Sequence, residues 1–236
     1  MIQFYAPDIE IEPFLPEGES AHCSRVLRMR EGDEIYVTDG KGHRFICEII
    51  KSHPVRTEVK IKAKEEGETS RTYRLTLAVA PTKNSDRMEW MLEKAVEIGV
   101  DKIVLINCKR SERKVQRSER FQKIMISAMK QSLSTRLPEL VELTAFEKYV
   151  KSDDSNYKYF GYCSKEYPRK EFVKECKSGT SISVMIGPEG DFTPEEVELA
   201  VQQGFMPVTF GEKRLRTETA GVFAVSAVNV INQLNG

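Results

Sequence analysis

From residue 72 to the end of the chain, apolar runs of strand length alternate with amphipathic stretches about six times. The strand candidates are "YRLTLAVA", "DKIVLIN", "LVEL", "KYFGYC", "SISVMIG" and "MPVTFG". Runs this apolar need cover on both faces. Helical crossovers between them make neighbouring strands parallel. The pattern therefore predicts an α/β fold with a parallel sheet and helices on both sides.

The helices carry their own end signals. In "NSDRMEWMLEKAVEIG" Asn84 or Ser85 can cap, Met88, Leu92 and Ala95 share a face, and Gly99 ends it. "RFQKIMISAMKQSLS" and "RKEFVKECK" read as helices, with a short one between "LVEL" and "KYFGYC". In "TPEEVELAVQQG" Thr193 and Glu196 make a capping box and Pro194 takes the first helical position. "TETAGVFAVSAVNVINQL" closes the chain. Its Gly221, Ala224 and Ala227 or Val228 form a small-residue face suited to a dimer contact.

The first seventy residues follow another rule. "RVLRM", "EIYVTD", "RFICEII" and "EVKIKA" read as short strands, and "TDGKGH" is a hairpin-type turn. That pattern predicts a small β-barrel. "KEEGETSR", residues 64–71, reads as a linker. The domain boundaries are thus 1–70 and 71–236.

Charge narrows the partners. Lys plus Arg and Asp plus Glu both number 36, so the chain is not basic all over. Residues 109–123, however, hold seven Lys or Arg against two Glu, and residues 22–30 hold three Arg, one His and no acid. Such patches suit a phosphate backbone, or a solvated helix face. The five cysteines form no CxxC pair, which argues against zinc or a disulfide framework. No run approaches membrane-span length, and "MIQFYAPDIE" lacks a signal-peptide pattern, so a cytoplasmic protein without membrane or metal partners is expected.

Two loops stand out as sites for chemistry. Gly187-Pro188-Glu189-Gly190 follows one strand, and residues 210–221, "FGEKRLRTETAG", follow the next. Both lie beyond the carboxyl ends of parallel strands, where open α/β sheets bind ligands. The turn is not GxGxxG after the first strand, and no GxxxxGK[ST] occurs, so NAD or ATP binding lacks its motifs. By itself GPEG is equally a plain tight turn. A Thr-capped helix start explains Thr217 and Glu218 but not the cations Lys213, Arg214 and Arg216.

"IGPEGDFTPEE" followed by "FGEKRLRTETA" resembles the carboxyl-terminal signature of the RsmE family of ribosomal RNA methyltransferases, in the SPOUT superfamily. "HCSRVLRMREGDEIYVTDGKG" resembles its PUA-like barrel. "APTKNSDRMEWMLEKAVEIGVDKI", "RSERK" and "AMKQSLSTRLPEL" resemble its remaining motifs, in order along nearly the whole chain. Three departures occur. Asp191 replaces the last glycine of GPEGG, Lys213-Arg214-Leu215-Arg216 stands for R-I-L-R, and Ser134 takes the Q-S-x-R arginine position, with Arg136 two residues on.

The resemblance implies a SPOUT-type parallel sheet with a carboxyl-terminal trefoil knot, preceded by a PUA-like barrel that binds RNA, in a homodimer. It implies methylation of N-3 of a specific uridine in 16S ribosomal RNA of the small subunit, with S-adenosyl-L-methionine as cofactor, a step in rRNA processing and ribosome biogenesis. Carried over position by position, the cofactor residues are Gly187, Glu189, Gly190, Gly211, Leu215 and Thr219. Arg216 is the candidate for orienting the uracil or stabilising its oxygens. Glu218 takes the proton or orients Arg216. The RNA candidates are His22, Arg25, Arg28, Lys41, Lys83, Arg110, Arg113, Gln131 and Arg136. A non-catalytic RNA-binding protein is the rival from another class. It has no need of the two loops.

Overall fold

Period-two burial builds the first sheet. In the computed structural model, which describes residues 2–67, 71–112, 118–164 and 167–235, the chain separates into two compact units. One comprises residues 1–70 with 126–137, the other residues 71–125 with 138–236. Residues 126–137, which the sequence pattern gives to the carboxyl-terminal domain, thus cluster with the first unit.

The first unit contains β1 (Gln3–Tyr5), α1 (Glu17–Ala21), a π-helical turn (His22–Val26), β2 (Glu34–Thr38), β3 (His43–Lys51) and β4 (Glu58–Glu66). The strands lie in the order β1-β2-β3-β4, with β1 parallel to β2 and the other pairs antiparallel. Phe45, Cys47 and Ile49 alternate inward along β3 and join Phe4, Ile35, Val37 and Val59 in one core. Residues 133–136 dock here. The Gln3 amide donates to the Ser134 carbonyl at 2.7 Å, and Arg44 donates to that of Leu133 at 2.8 Å.

Sequence and structure part in several places in this unit. "RVLRM" is not a strand. Its start belongs to the π-helical turn, where Leu27 N–H reaches back five residues to the His22 carbonyl at 3.0 Å. Ser20 and Cys23 are buried and Leu27 is partly so, a helical rather than alternating period. Residues 64–66 continue β4 instead of opening a linker. The short elements β1 and α1 have no periodic signal to mark them.

The second unit runs β5 (Arg74–Val79), α2 (Ser85–Ile98), β6 (Lys102–Asn107), α3 (Ser118–Gln131, whose last turns belong to the first unit), β7 (Glu139–Ala145), α4 (Phe146–Ser152) and β8 (Tyr157–Gly161). It continues through β9 (Lys170–Glu171), α5 (Phe172–Glu175), β10 (Ser181–Ile186), α6 (Pro194–Gln202), β11 (Met206–Thr209) and α7 (Thr217–Asn235). Among the described residues the strands form one all-parallel sheet, ordered β7-β6-β5-β10-β8-β11-β9. The predicted strands and helices occur in their predicted order. "RKEFVKECK" differs: it splits into the two-residue β9 and the four-residue α5. The helix caps are as read, with the Asn84 side chain accepting from Asp86 N–H at 2.8 Å and both halves of the Thr193–Glu196 box formed.

The small-residue face of α7 is used within the chain. Gly221 lies so close to α2 that a Cβ there would meet Met91 Sδ at 2.5 Å, and Ala224 and Val228 are fully buried. That face is therefore closed to a second copy. Val230 and Leu234 on the same helix are exposed.

Candidate active site

Parallel strands present their carboxyl ends together, and here β10 and β11 do so with β8 between them. The loops leaving these three strands enclose a cleft of about 1050 Å³. Gly187, Glu189, Gly211 and Leu215 line it, with Arg216 and Glu218. The sequence candidates thus converge on one site, with two exceptions. Gly190 and the exposed Thr219 stand outside the lining.

The turn after β10 is held from several sides. Thr217 Oγ1 donates to the Gly187 carbonyl at 3.2 Å, tying the turn to the start of α7. Arg214 donates to the Glu189 carbonyl at 3.3 Å. The Glu189 carboxylate accepts from the backbone N–H of Lys83 at 3.0 Å. Arg110 donates to the carbonyls of Gly190 at 2.9 Å and Phe192 at 3.2 Å. Asp191 adopts φ 61° and accepts from Cys163 N–H at 3.0 Å and Phe192 N–H at 2.9 Å. A glycine favours that backbone region, and aspartate is one of the few other residues that enters it readily, which explains how Asp191 can stand there.

The electrostatics are mixed. Glu218 is only 8% exposed, and Arg87, from the first turn of α2, brings its Nε to 3.7 Å from the carboxylate. Among the described residues the Arg216 guanidinium has no partner, although the residue is exposed on the cleft wall. It is a cation left free for a ligand. Cys163 also lines the cleft. Burial, then the Asp191 carboxylate, push its thiol above the ordinary value, against the pull of Arg214 and Arg169. A thiol held this way is a poor nucleophile at neutral pH. No group of His, Cys, Asp and Glu among the described residues is arranged to hold a metal ion.

Sequence reasoning missed Arg87, Tyr162, Arg169 and Phe210, which also line the cleft. Arg87 sits in a stretch that carries the family resemblance, but within it only the helix is legible and nothing gives the arginine a role. The aromatic pair reads as strand, in "KYFGYC" and "MPVTFG", and Phe210 also opens the 210–221 loop, but both lie just past the strand ends on the cleft.

The RNA candidates fall in two groups. In the first unit Lys41 and Arg136 are adjacent through a backbone bridge, and Arg136 donates to the Lys41 carbonyl at 3.4 Å. Arg25, Arg28 and Gln131 are exposed there, and His22 is half-buried with its ring 6.0 Å from that of Phe4. In the second unit the Lys83 ammonium is paired with Glu112 at 2.8 Å, and Arg110 is engaged with the turn. Arg113 lies outside the described residues.

Known proteins match this arrangement along its length. The family model described as an RNA methyltransferase domain matches residues 68–229, and that of the RNA methyltransferase PUA domain matches residues 15–61. Ribosomal RNA small subunit methyltransferase E of Aquifex aeolicus is 30% identical, over 90% of this chain and 91% of its own. A probable rRNA-methyltransferase from Porphyromonas gingivalis superposes with a TM-score of 0.94 at 40% identity, covering all of both chains. A ribosomal RNA small subunit methyltransferase E from Neisseria gonorrhoeae, solved bound to S-adenosyl methionine, gives 0.84 at 26% identity over 98% of each. The domain model covers more than half of the chain, and with its convergent loops and these relatives the protein belongs to the RsmE family of RNA methyltransferases.

Proposed function

We propose that the protein methylates N-3 of a specific uridine in 16S ribosomal RNA of the small subunit, using S-adenosylmethionine. The observation that carries this reading is the meeting of the 187–191 turn and the 210–218 loop in one cleft, where Arg216, without a partner among the described residues, stands with the shielded Glu218. The cleft volume of about 1050 Å³ is at the upper end of small-molecule sites, enough for a cofactor and a flipped base. The residues fit a cofactor of this kind. Gly187, Gly211 and Leu215 bring backbone to the cleft wall, and Glu189 adds a carboxylate. When bound, S-adenosylmethionine supplies an activated methyl group on a sulfonium.

The chain's own work is on the base. The uridine N-3 proton must leave, and the resulting charge spreads onto the ring's carbonyl oxygens. Arg216 stabilises those oxygens. Glu218 receives the proton or orients Arg216, and Arg87 holds Glu218 in place. Holding the base in line with the methyl group contributes through positioning, worth roughly 7–11 kcal/mol in favourable cases.

The same reading gives residues 1–70 as a PUA-like RNA-binding domain and residues 71–236 as the SPOUT domain, with Arg25, Arg28 and Lys41 of the first, and Arg136 of the segment that clusters with it, on phosphates. The insertion of β11 between β8 and β9 supports a trefoil knot. A homodimer would use the exposed Val230 and Leu234 of α7. No described helix is long and apolar enough to cross a membrane, and a ribosome-directed enzyme works in the cytoplasm. The test is to incubate small subunits from cells lacking the gene with the protein and methyl-labelled S-adenosylmethionine. Label recovered in N-3-methyluridine is the expected result. Label in another nucleoside rejects the assigned atom, and no label rejects the reaction.

A further inference from the structure

The basic loop after β6 looks, by composition, like an RNA contact. Arg110 is occupied otherwise. Its NH1 donates to the carbonyls of Gly190 at 2.9 Å and Phe192 at 3.2 Å, the two that flank Asp191 and its left-handed φ of 61°. Its aliphatic stem lies over Gly190. A Cβ at that position would stand 3.3 Å from Arg110 Cβ and 3.4 Å from Cδ. Gly190, which does not line the cleft, is thus a glycine that lets the arginine close on the turn.

The loop that carries Arg110 is itself fixed. Ser111 and Cys108 exchange two hydrogen bonds, Ser111 N–H to the Cys108 carbonyl and Cys108 N–H to Ser111 Oγ, both at 3.0 Å. Lys109 N–H donates to Glu196 at 2.8 Å, and Glu196 is 5% exposed within the α6 capping box. Arg110 therefore projects from a braced backbone onto the turn. Charge-assisted bonds from a planar guanidinium are strong and directional, and an ammonium on a flexible stem does not reproduce them.

We propose that Arg110 is a positioning residue for the cofactor cleft. By holding the carbonyls of Gly190 and Phe192 it fixes the orientation of the Gly187–Asp191 turn, which forms one wall. This rests on the reading of the cleft as the S-adenosylmethionine site. RNA phosphate is not its partner.

R110K discriminates, because it keeps the charge and most of the stem while losing the planar donor. Calorimetry with S-adenosylhomocysteine should show binding to the unaltered protein and a loss of about tenfold or more in R110K. R110A should lose at least as much, with KM for S-adenosylmethionine rising more than kcat falls. The salt dependence of binding to small-subunit RNA should be unchanged in both. S-adenosylhomocysteine affinity in R110K within about twofold of the unaltered protein overturns the inference. So does a salt slope reduced by about one in R110A, the mark of a lost phosphate contact. If R110A does not fold, R110K alone decides. Failure of the unaltered protein to bind S-adenosylhomocysteine overturns the cleft's assignment itself and is distinguishable from both.

Discussion

The hairpin turn at residues 39–43 and the turn at residues 187–191 both place backbone in the left-handed region. Gly40 and Gly42 do so at φ 72° and 113° in the first, Asp191 at 61° in the second. Their support differs. In the hairpin Asp39 accepts from Lys41 N–H at 2.7 Å, from His43 N–H at 3.2 Å and from the His43 ring at 2.7 Å. These donors to Asp39 all lie within four residues, while residues 135–137 brace the turn from outside, with Gly42 N–H donating to the Thr135 carbonyl and Leu137 N–H to that of Gly40, both at 2.9 Å. The second turn is held by Lys83, Arg110, Cys163, Arg214 and Thr217, from 25 to 106 residues away. The first turn has an organising side chain of its own, Asp39, with one distant segment bracing it. The second is shaped by the loops of the surrounding strands, and a wall built that way can pass a change in any loop to a bound ligand.

This contrast predicts a double dissociation. Arg216→Ala should reduce kcat by roughly 10²–10³, the scale for losing one preorganised electrostatic stabiliser, and leave the melting temperature unchanged. Single-turnover methylation and a thermal scan measure the two. Asp39→Ala should do the reverse. It strands two backbone N–H groups at the turn and should cost about 2–3 kcal/mol in urea unfolding, with kcat retained. Equal damage to kcat in both variants would erase the distinction between the turns.

Acid sharpens the comparison. Burial opposes ionisation of Asp39, but the bonds from His43 and from the amides of Lys41 and His43 outweigh it and hold the carboxyl below its ordinary value. A depressed folded-state value stabilises the fold above the unfolded value and loses that contribution as pH falls through the folded one. The stability gap between the unaltered protein and Asp39→Asn should therefore be full at neutral pH. It should narrow only below about pH 3.9, where an unfolded aspartate takes up its proton. A gap that narrows near pH 6 instead would assign the effect to a different group.

The same division explains what could be read from residues alone. "TDGKGH" announces its turn because Asp39, Gly40 and Gly42 are the parts that make it. The Thr193–Glu196 box and the Asn84 cap were legible for that reason too. The strands of the parallel sheet were legible through apolar runs. Their order was not, since nothing in "MPVTFG" says that β11 inserts between β8 and β9. In the site, Gly187, Gly211, Leu215, Arg216 and Glu218 came from two contiguous motifs. Arg87 and the true partners of Lys83 and Arg110 depend on strand order and stayed hidden. Composition placed Arg110 with the RNA contacts, because an arginine in a basic run carries no sign that two carbonyls eighty residues away will claim it.

The smallest effect should come from Asp191→Gly. Removing the side chain relieves a left-handed backbone cost of about 1–2 kcal/mol. It also deletes the bonds to Cys163 N–H and Phe192 N–H, each worth about 0.5–1.5 kcal/mol net. A glycine adds about 0.4–1 kcal/mol of unfolded-state entropy to overcome. The contributions oppose one another, and the net should be a loss of about 1 kcal/mol of unfolding free energy, and no more than about 3. S-adenosylhomocysteine affinity should hardly move, because Arg110 still grips the carbonyls on either side. A loss well beyond about 3 kcal/mol would mean that Asp191 organises its turn as Asp39 does, from within. The long-range bonds would then be decoration on a self-supporting loop, and the contrast between the two turns would fall.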